Sequence, residues 1–303
     1  MDAASHCAWG KVEERWDNGL VGVLPYTIER RHFTTRIGMP WYSRVLGPWL
    51  MLPASKSLKR LTNASKIVTS LITKLPKHDE FRQCMAPETD ESAAFVMAGY
   101  VTPEHYVQQN YTLRLAPGLD EKALLANMHW RTRSHIKACQ KQLEIVQHED
   151  VEQHLRLAEA QATDQGQRSW LRSDLIRRSF AAALAHGQAT VLKAQDAQGE
   201  MMASAIVLWD GGALYFWQGA RKVASGNYAY AYVLWEAMQF AHKRDLIFDF
   251  DGFYSPSAAK YLASFGGTPV ARPWIIRQNA RARSLSLARD LWEKSVVSQD
   301  DEE

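Results

Sequence analysis

The sequence predicts an α/β fold, an α+β mixed sheet made of two similar units in tandem, the first trimmed at its N-terminus. Three observations predict it. The second half alternates strands and helices around a central meander, in the order β-α-α-β-β-β-α-β-α-β, which requires a mixed sheet covered on both faces. Phe81–Leu113 (FRQCMAPETDESAAFVMAGYVTPEHYVQQNYTL) and Ile247–Arg277 (IFDFDGFYSPSAAKYLASFGGTPVARPWIIR) run through one order: strand, loop, Ser-Ala-Ala helix, Gly turn, Thr-Pro and closing strand. A hydrophobic content of 46% over 303 residues supplies the core that such a chain needs.

The first half opens with a charged segment, Val12–Asp17, then Asn18-Gly19 and the apolar run Leu20–Tyr26, a hairpin signal. Ile37–Leu52 carries Gly38, Pro40 and Gly47 and precedes Pro53, so it reads as strand and loop pieces. Ser55–Lys74 is helical, with Leu58, Leu61, Ile67, Leu71 and Ile72 roughly on one face. Phe81–Met85 is a strand, Asp90–Tyr100 a short helix and Tyr106–Leu115 an alternating strand. Asp120–Gln142 reads as one helix rich in Arg and Lys that joins the halves. The expected domains are therefore 1–118, a linking helix over 119–142, and 143–303.

In the second half, Leu143–Gln147 is a strand, followed by helices Val151–Thr163 and Leu171–His186. Strands Ala189–Ala194, Met201–Trp209 and Ala213–Ala220 are joined by turns at Ala197-Gln198-Gly199 and Gly211-Gly212. Helix Asn227–Arg244, strand Ile247–Phe253, helix Ser257–Phe265, strand Thr268–Gln278 and helix Ala280–Lys294 complete the order, before an acidic tail at Gln299–Glu303. Across the repeat, Leu20–Tyr26 and Ile37–Leu52 correspond to Met201–Trp209 and Ala213–Ala220, and Ser55–Lys74 to Asn227–Arg244.

Composition narrows the function. A net charge of +3 is mild, and Lys and Arg cluster only locally, at Arg30-Arg31 and between Arg131 and Lys141. That suits a phosphate-bearing small ligand better than a nucleic acid, and DNA is not expected as a partner. Cys7, Cys84 and Cys139 form neither a disulfide framework nor a CxxC metal pair. No run approaches the roughly 20 apolar residues of a membrane span, and the N-terminus lacks the order of a signal peptide, so a cytoplasmic protein is expected. The histidines show no HExxH spacing and there is no GxSxG, which disfavours metal and covalent-nucleophile chemistry.

Four groups of residues are candidates for chemistry. Arg221, Lys222, Ser225, Gly226 and Asn227 form a loop at the start of a helix, where N–H groups and the dipole favour an anion; the plainer reading is an ordinary capped loop. Asp249 and Asp251 lie two apart on an expected strand and face the same way, suited to orienting or deprotonating an amine or binding its cation; equally they can cap the next helix or face water. Tyr254 or Tyr261 can protonate a leaving thiolate, or be rim and core residues. Arg131, Arg133 and Lys137, with Lys141 beyond, repeat cations along the linking helix, for a phosphate or for solvent.

The element order, together with RTRSHIKACQKQLEI (131–145) and IFDFDGFYSPSAAKYLASFGGTP (247–269), resembles the GNAT acyltransferase fold, and its doubling resembles the Fem-type branch. The likeness spans about Leu20 to Gln278. It implies an N-acyltransferase that moves an acyl or aminoacyl group from an activated carrier to an amine by direct attack. The carrier would be acyl-CoA or an acyl carrier protein, acting as co-substrate with no permanently bound cofactor. The alternatives are an aminoacyl-tRNA donor and a non-catalytic binding or assembly protein of the same fold. Two departures stand out: the loop Arg221–Asn227 has a single glycine, and Leu262 occupies the lysine position of the branch's Phe-Lys-x-x-Phe-Gly run.

Overall fold

The computed structural model describes residues 1–17, 19–31, 33–87, 91–102, 107–166, 171–253 and 255–288. In chain order the elements are β1 (Trp9–Trp16), β2 (Gly19–Arg30), β3 (Thr35–Gly38), β4 (Trp49–Leu50), α1 (Ser57–Thr73), β5 (Glu80–Cys84), α2 (Glu91–Met97) and β6 (Val107–Leu115). They continue with α3 (Glu121–Asn127), α4 (Trp130–Cys139), β7 (Glu144–His148), α5 (Glu152–Asp164), α6 (Ser173–Ala185), β8 (Ala189–Gln195), β9 (Met201–Trp209) and β10 (Ala213–Arg221). The last are α7 (Tyr228–His242), β11 (Ile247–Asp249), α8 (Pro256–Ala263), β12 (Thr268–Gln278) and a helix over 280–288. The chain folds as two compact units, one holding Met1–Asn110 and the chain from Ala271 onward, the other Tyr111–Val270.

In the first unit the expected hairpin forms, with Trp16 opposite Gly19 and Trp9 opposite Thr27. β3 adds antiparallel to β2, β5 runs parallel to β3, and β12 closes antiparallel on β5 from Trp274 opposite Cys84 to Gln278 opposite Glu80. Helix α1 buries Ala64, Ile67, Val68 and Leu71 in a core with Leu24, Ile37, Phe81, Phe95 and Ile275. Leu58, expected on that face, is instead 76% exposed.

The second unit repeats the plan. β8, β9 and β10 form an antiparallel meander, α7 follows, β11 runs parallel to β10, and α8 comes next. The first unit follows the same course with β1, β2 and β3, then α1, β5 and α2, so the internal repeat seen in the sequence is a structural one. β7, α5 and α6 precede the meander of the second unit only; the first unit starts on its meander. α7 is apolar almost all round and lies in the middle of the core, burying Ala229, Ala231, Val233, Leu234, Trp235, Ala237, Met238 and Ala241.

The unit boundaries differ from the expected 1–118 and 143–303. Each unit is closed by a strand that follows the other unit's short helix. β6 follows α2 and pairs with β11, while β12 follows α8 and pairs with β5. A linear pattern of elements carries no sign of such an exchange, because the closing strand has the same alternation whichever sheet receives it. Two other expectations are corrected. The single helix over Asp120–Gln142 is two, broken where Met128 and His129 are extended. The strand Ile247–Phe253 stops at Asp249.

Candidate functional site

β10 pairs with β9 from Leu214 opposite Trp209 to Arg221 opposite Ala203, with a bulge between Phe216 and Gln218. With β11 it pairs over three residues only, Ala213–Tyr215 against Ile247–Asp249. Beyond that point the two diverge, and the cause is a buried carboxylate. Asp249 has no exposed surface. Its Oδ1 accepts from the Thr112 hydroxyl (2.6 Å) and the Asp251 N–H (2.8 Å), and its Oδ2 accepts from Arg114 Nε (2.7 Å). The Gly252 N–H donates to Thr112 Oγ1 (3.0 Å) and the Phe250 N–H to the Leu113 carbonyl (3.0 Å). Asp251 and Gly252 both adopt positive φ, 64° and 90°, so the chain turns sharply onto β6. The far half of β10 is left as one arm of an open fork.

The open arm presents backbone groups that a neighbouring strand would otherwise satisfy. The Arg221 N–H donates to Oε1 of Gln161, a side chain of α5, at 2.8 Å. Tyr230 from α7 and Tyr261 from α8 flank the fork, their ring centroids 6.1 Å apart. Tyr261 also meets Phe265 edge-on at 5.5 Å, and its hydroxyl donates to the Asn227 carbonyl at 3.4 Å. At Gly219 of β10 the absence of a side chain is required, since a Cβ would overlap the Tyr230 ring and hydroxyl. Burial pushes the Tyr230 phenol up to about 12. Burial, and then the neighbouring Tyr230, raise Tyr261 as well, so both are neutral donors at physiological pH. At the start of α7, His135 of α4 packs on Tyr228 with centroids 4.2 Å apart.

The fork brings together part of the residue set expected from sequence. Within the loop, Lys222 is ion-paired with Glu200. The Arg221 guanidinium reaches the Lys222 and Val223 carbonyls at 3.5 Å each. Ser225 donates to the Lys222 carbonyl (2.8 Å) and Asn227, at the N-cap position, makes no side-chain cap, so the ordinary capped loop read from the sequence is corrected at both residues. Gly226 has φ 58° and gives the turn its shape. The expectation that Asp249 and Asp251 face one way as an acid/base pair is also corrected, because the strand ends at Asp249 and that carboxylate is saturated by hydrogen bonds. Asp251 is 4% exposed. Tyr254 lies outside the described residues.

On α4, Arg133 turns inward, donating from Nη1 to the Leu125 (2.9 Å) and Met128 (3.0 Å) carbonyls, and so caps the end of α3. Arg131 stacks over Trp130 at 5.1 Å and Lys137 is exposed. Leu262 is buried in the core and Lys260 is exposed, so no lysine takes the place that Leu262 fills. The residues that sequence reasoning missed are Thr112, Arg114, Gln161, Gly219, Tyr230 and His135. Thr112 and Arg114 stand on the same face of an alternating strand, which was a usable signal for a polar cluster, but their partner is more than 130 residues away in sequence.

Behind the same sheet, His154 of α5 (1% exposed) shares a hydrogen bond with fully buried Ser204 of β9, Nδ1 to Oγ 2.9 Å. Burial lowers the imidazole pKa to about 4, so the native state holds it neutral. The unfolded chain takes up that proton first as pH falls, near the ordinary value of about 6.5. Stability from this site is therefore complete above about pH 6.5 and is lost on the way down to about 4, by up to about 1.4 kcal/mol per pH unit. Urea unfolding at about pH 5.0, inside that window, and at about pH 7.5, above it, should show a lower midpoint at the acid pH. In His154→Gln the gap should narrow; an equal gap in both proteins would dissociate the effect from this histidine.

Residues 130–261, which include the fork, match the model of a family described as Acetyltransferase (GNAT) domain. Among solved structures, the chain is similar to FemX with a TM-score of 0.65 and 12% identity, over 88% of each chain. It is also similar to the C-terminal domain of a putative lysylphosphatidylglycerol synthetase from Agrobacterium fabrum, with a TM-score of 0.54 and 9% identity, over 92% of this chain and 86% of that one. A third similar structure is L-PGS from Bacillus licheniformis, with a TM-score of 0.51 and 6% identity, over 86% of this chain and 82% of that one. At such identities the likeness is one of fold. No protein of curated function matches in sequence. Among the described residues, no helix is long and apolar enough to cross a membrane.

Proposed function

We propose, from a chain that carries a GNAT acetyltransferase domain over residues 130–261 and is an acyltransferase, that it moves an acyl group from acyl-CoA or an acyl carrier protein to an amine by direct attack. The observation that carries this reading is the fork between β10 and β11. A thioester carrier with amides along its arm can pair with the open backbone of β10 as an added strand. Its phosphate end then reaches the Arg221–Asn227 loop and the start of α7, where N–H groups face an anion. The Gln161 side chain, which accepts from the Arg221 N–H, would give way to the carrier's own carbonyl.

In this reading the amine nitrogen attacks the thioester carbon, the C–N bond forms and the C–S bond breaks. The leaving thiolate takes the proton of the Tyr261 phenol, and the proton shed by the amine restores it. Raised by burial, the phenol stays protonated until the thiolate appears. Arg131 and Lys137, exposed on α4, remain candidates for the carrier's phosphates. An aminoacyl donor is the second reading, favoured by the fold shared with a lysylphosphatidylglycerol synthetase domain.

Calorimetry of the full chain with acetyl-CoA, a long-chain acyl-CoA and charged tRNA separates the donors. Saturable binding of a CoA ester is the expected result, and no heat from any of the three would sink the proposal. With the donor in hand, Tyr261→Phe should lower kcat by about a hundredfold with KM little changed. An unaltered kcat would remove Tyr261 from the chemistry.

A further inference from the structure

We infer that the first unit carries a docking surface for an anionic lipid bilayer, formed by the segment from Trp49 to Arg60. Trp49 is 70% exposed, Met51 45% and Leu58 76%. A lone exposed apolar side chain is ordinary, but here three large ones fall within ten residues of one another. Their exposure is built into the local structure. Trp49 and Met51 sit either side of half-buried Leu50, which faces α1 beside Gly22, so the two-residue alternation of β4 turns them outward. Leu58 lies about 120° round α1 from the buried stripe of Ala64, Ile67, Val68 and Leu71. It is an apolar residue placed on the solvent side, not a frayed piece of core.

Lys56, Lys59 and Arg60, all exposed, flank Leu58 in the chain. They belong to a longer pattern. From Arg30 to His78 there are ten Lys or Arg and not one Asp or Glu, in a chain whose net charge is only +3. The rest of the protein is therefore net acidic, by seven charges. The basic character of this molecule is concentrated in one stretch of chain; Arg31 and Arg36 ion-pair with Glu29 and Lys74 with Glu14, and exposed Lys56, Lys59 and Arg60 supply the charge complement of an anionic surface.

Cations alone would suit any polyanion. What selects a bilayer is the apolar set between them, above all a Trp, whose ring sits at headgroup depth while Met and Leu enter the acyl boundary. Binding a nucleic-acid backbone would leave Met51 and Leu58 without a role. Attachment of this kind is peripheral, in keeping with the absence of a membrane-crossing helix among the described residues. The surface lies in the first unit, while the fork lies in the second, so this inference stands whether or not the donor reading does.

The test is co-sedimentation of the full chain with vesicles of phosphatidylglycerol and phosphatidylcholine, with pure phosphatidylcholine vesicles and an RNA oligonucleotide as the other arms. Binding to the anionic vesicles is expected, weakening as salt rises through about 0.15 M, where the screening length is about 8 Å. Replacing Lys56, Lys59 and Arg60 together by Gln should lower the partition coefficient by about a hundredfold, at about 1 kcal/mol per cation. Trp49→Ser with Leu58→Ser should weaken what remains, with an unchanged thermal midpoint because both side chains are exposed. The assignment is overturned by no binding to anionic vesicles, by equal binding to neutral ones, or by binding that survives both variants. RNA bound in place of vesicles would also overturn it, making the face a nucleic-acid surface.

Discussion

Asp249→Asn should cost about 3–5 kcal/mol of stability, the penalty for breaking a buried pair by removing one partner. The carboxylate has no exposed surface and the Arg114 side chain is only 14% exposed. An Asn can keep one acceptor but must aim its NH₂ at either the Thr112 hydroxyl or the Arg114 guanidinium. One buried donor then loses its partner, and a buried cation loses its counter-charge. Urea unfolding of the purified variant reads the loss directly. The same substitution separates two roles. If Asp249 builds the fork by drawing the chain after β11 onto β6, stability falls and what activity survives follows the folded fraction. A fully stable variant with no turnover would instead make the carboxylate a catalytic group and refute its structural role.

Gly266→Ala should be nearly as damaging, at about 2–5 kcal/mol. Gly266 has φ 88°, and a Cβ there would lie 2.7 Å from the Asn127 carbonyl oxygen and 2.9 Å from its carbon. Backbone cannot step aside as a side chain does. The cost therefore joins about 1–2 kcal/mol of left-handed strain to about 1–3 kcal/mol of overpacking. Gly187 supplies the control, with φ 66° and nothing within 4 Å of its Cβ position. Gly187→Ala should show the strain alone. Equal losses at the two glycines would mean that the end of α3 yields to the added methyl. Gly266 follows α8, which carries Tyr261, so the glycine of the Phe-Gly-Gly turn is explained by the close approach of α8's end to α3.

Much of the fold was legible because it rests on local periodicity. The hairpin of β1 and β2, the meander, the mostly apolar α7 and the repeat all follow from spacing that a residue's own neighbours set. The errors fall where distant contacts overrule local pattern. The alternation at 247–253 reads as one strand, but hydrogen bonds donated by the chain beyond Asp249 to Thr112 and Leu113 end it early. The run over 120–142 reads as one helix, but it breaks at Met128 and His129, where Arg133 takes the freed carbonyls and His129 N–H bonds to Ser264.

By itself, then, the sequence determined the class of fold, its duplication, the likeness to GNAT acyltransferases and the loop at the head of α7. It also singled out aspartates, tyrosines and cations as candidates for chemistry, each with a plainer reading beside the chemical one. Only the tertiary structure decided that Asp249 is a buried anchor, that Arg133 is a cap, and that the far arm of β10, the berth proposed for the donor, lies open beside Tyr230 and Tyr261. The physical reason is burial. A carboxylate in water and one enclosed by a guanidinium, a hydroxyl and a peptide N–H are the same letters in a sequence, and the guanidinium and the hydroxyl that distinguish them lie more than 130 residues away.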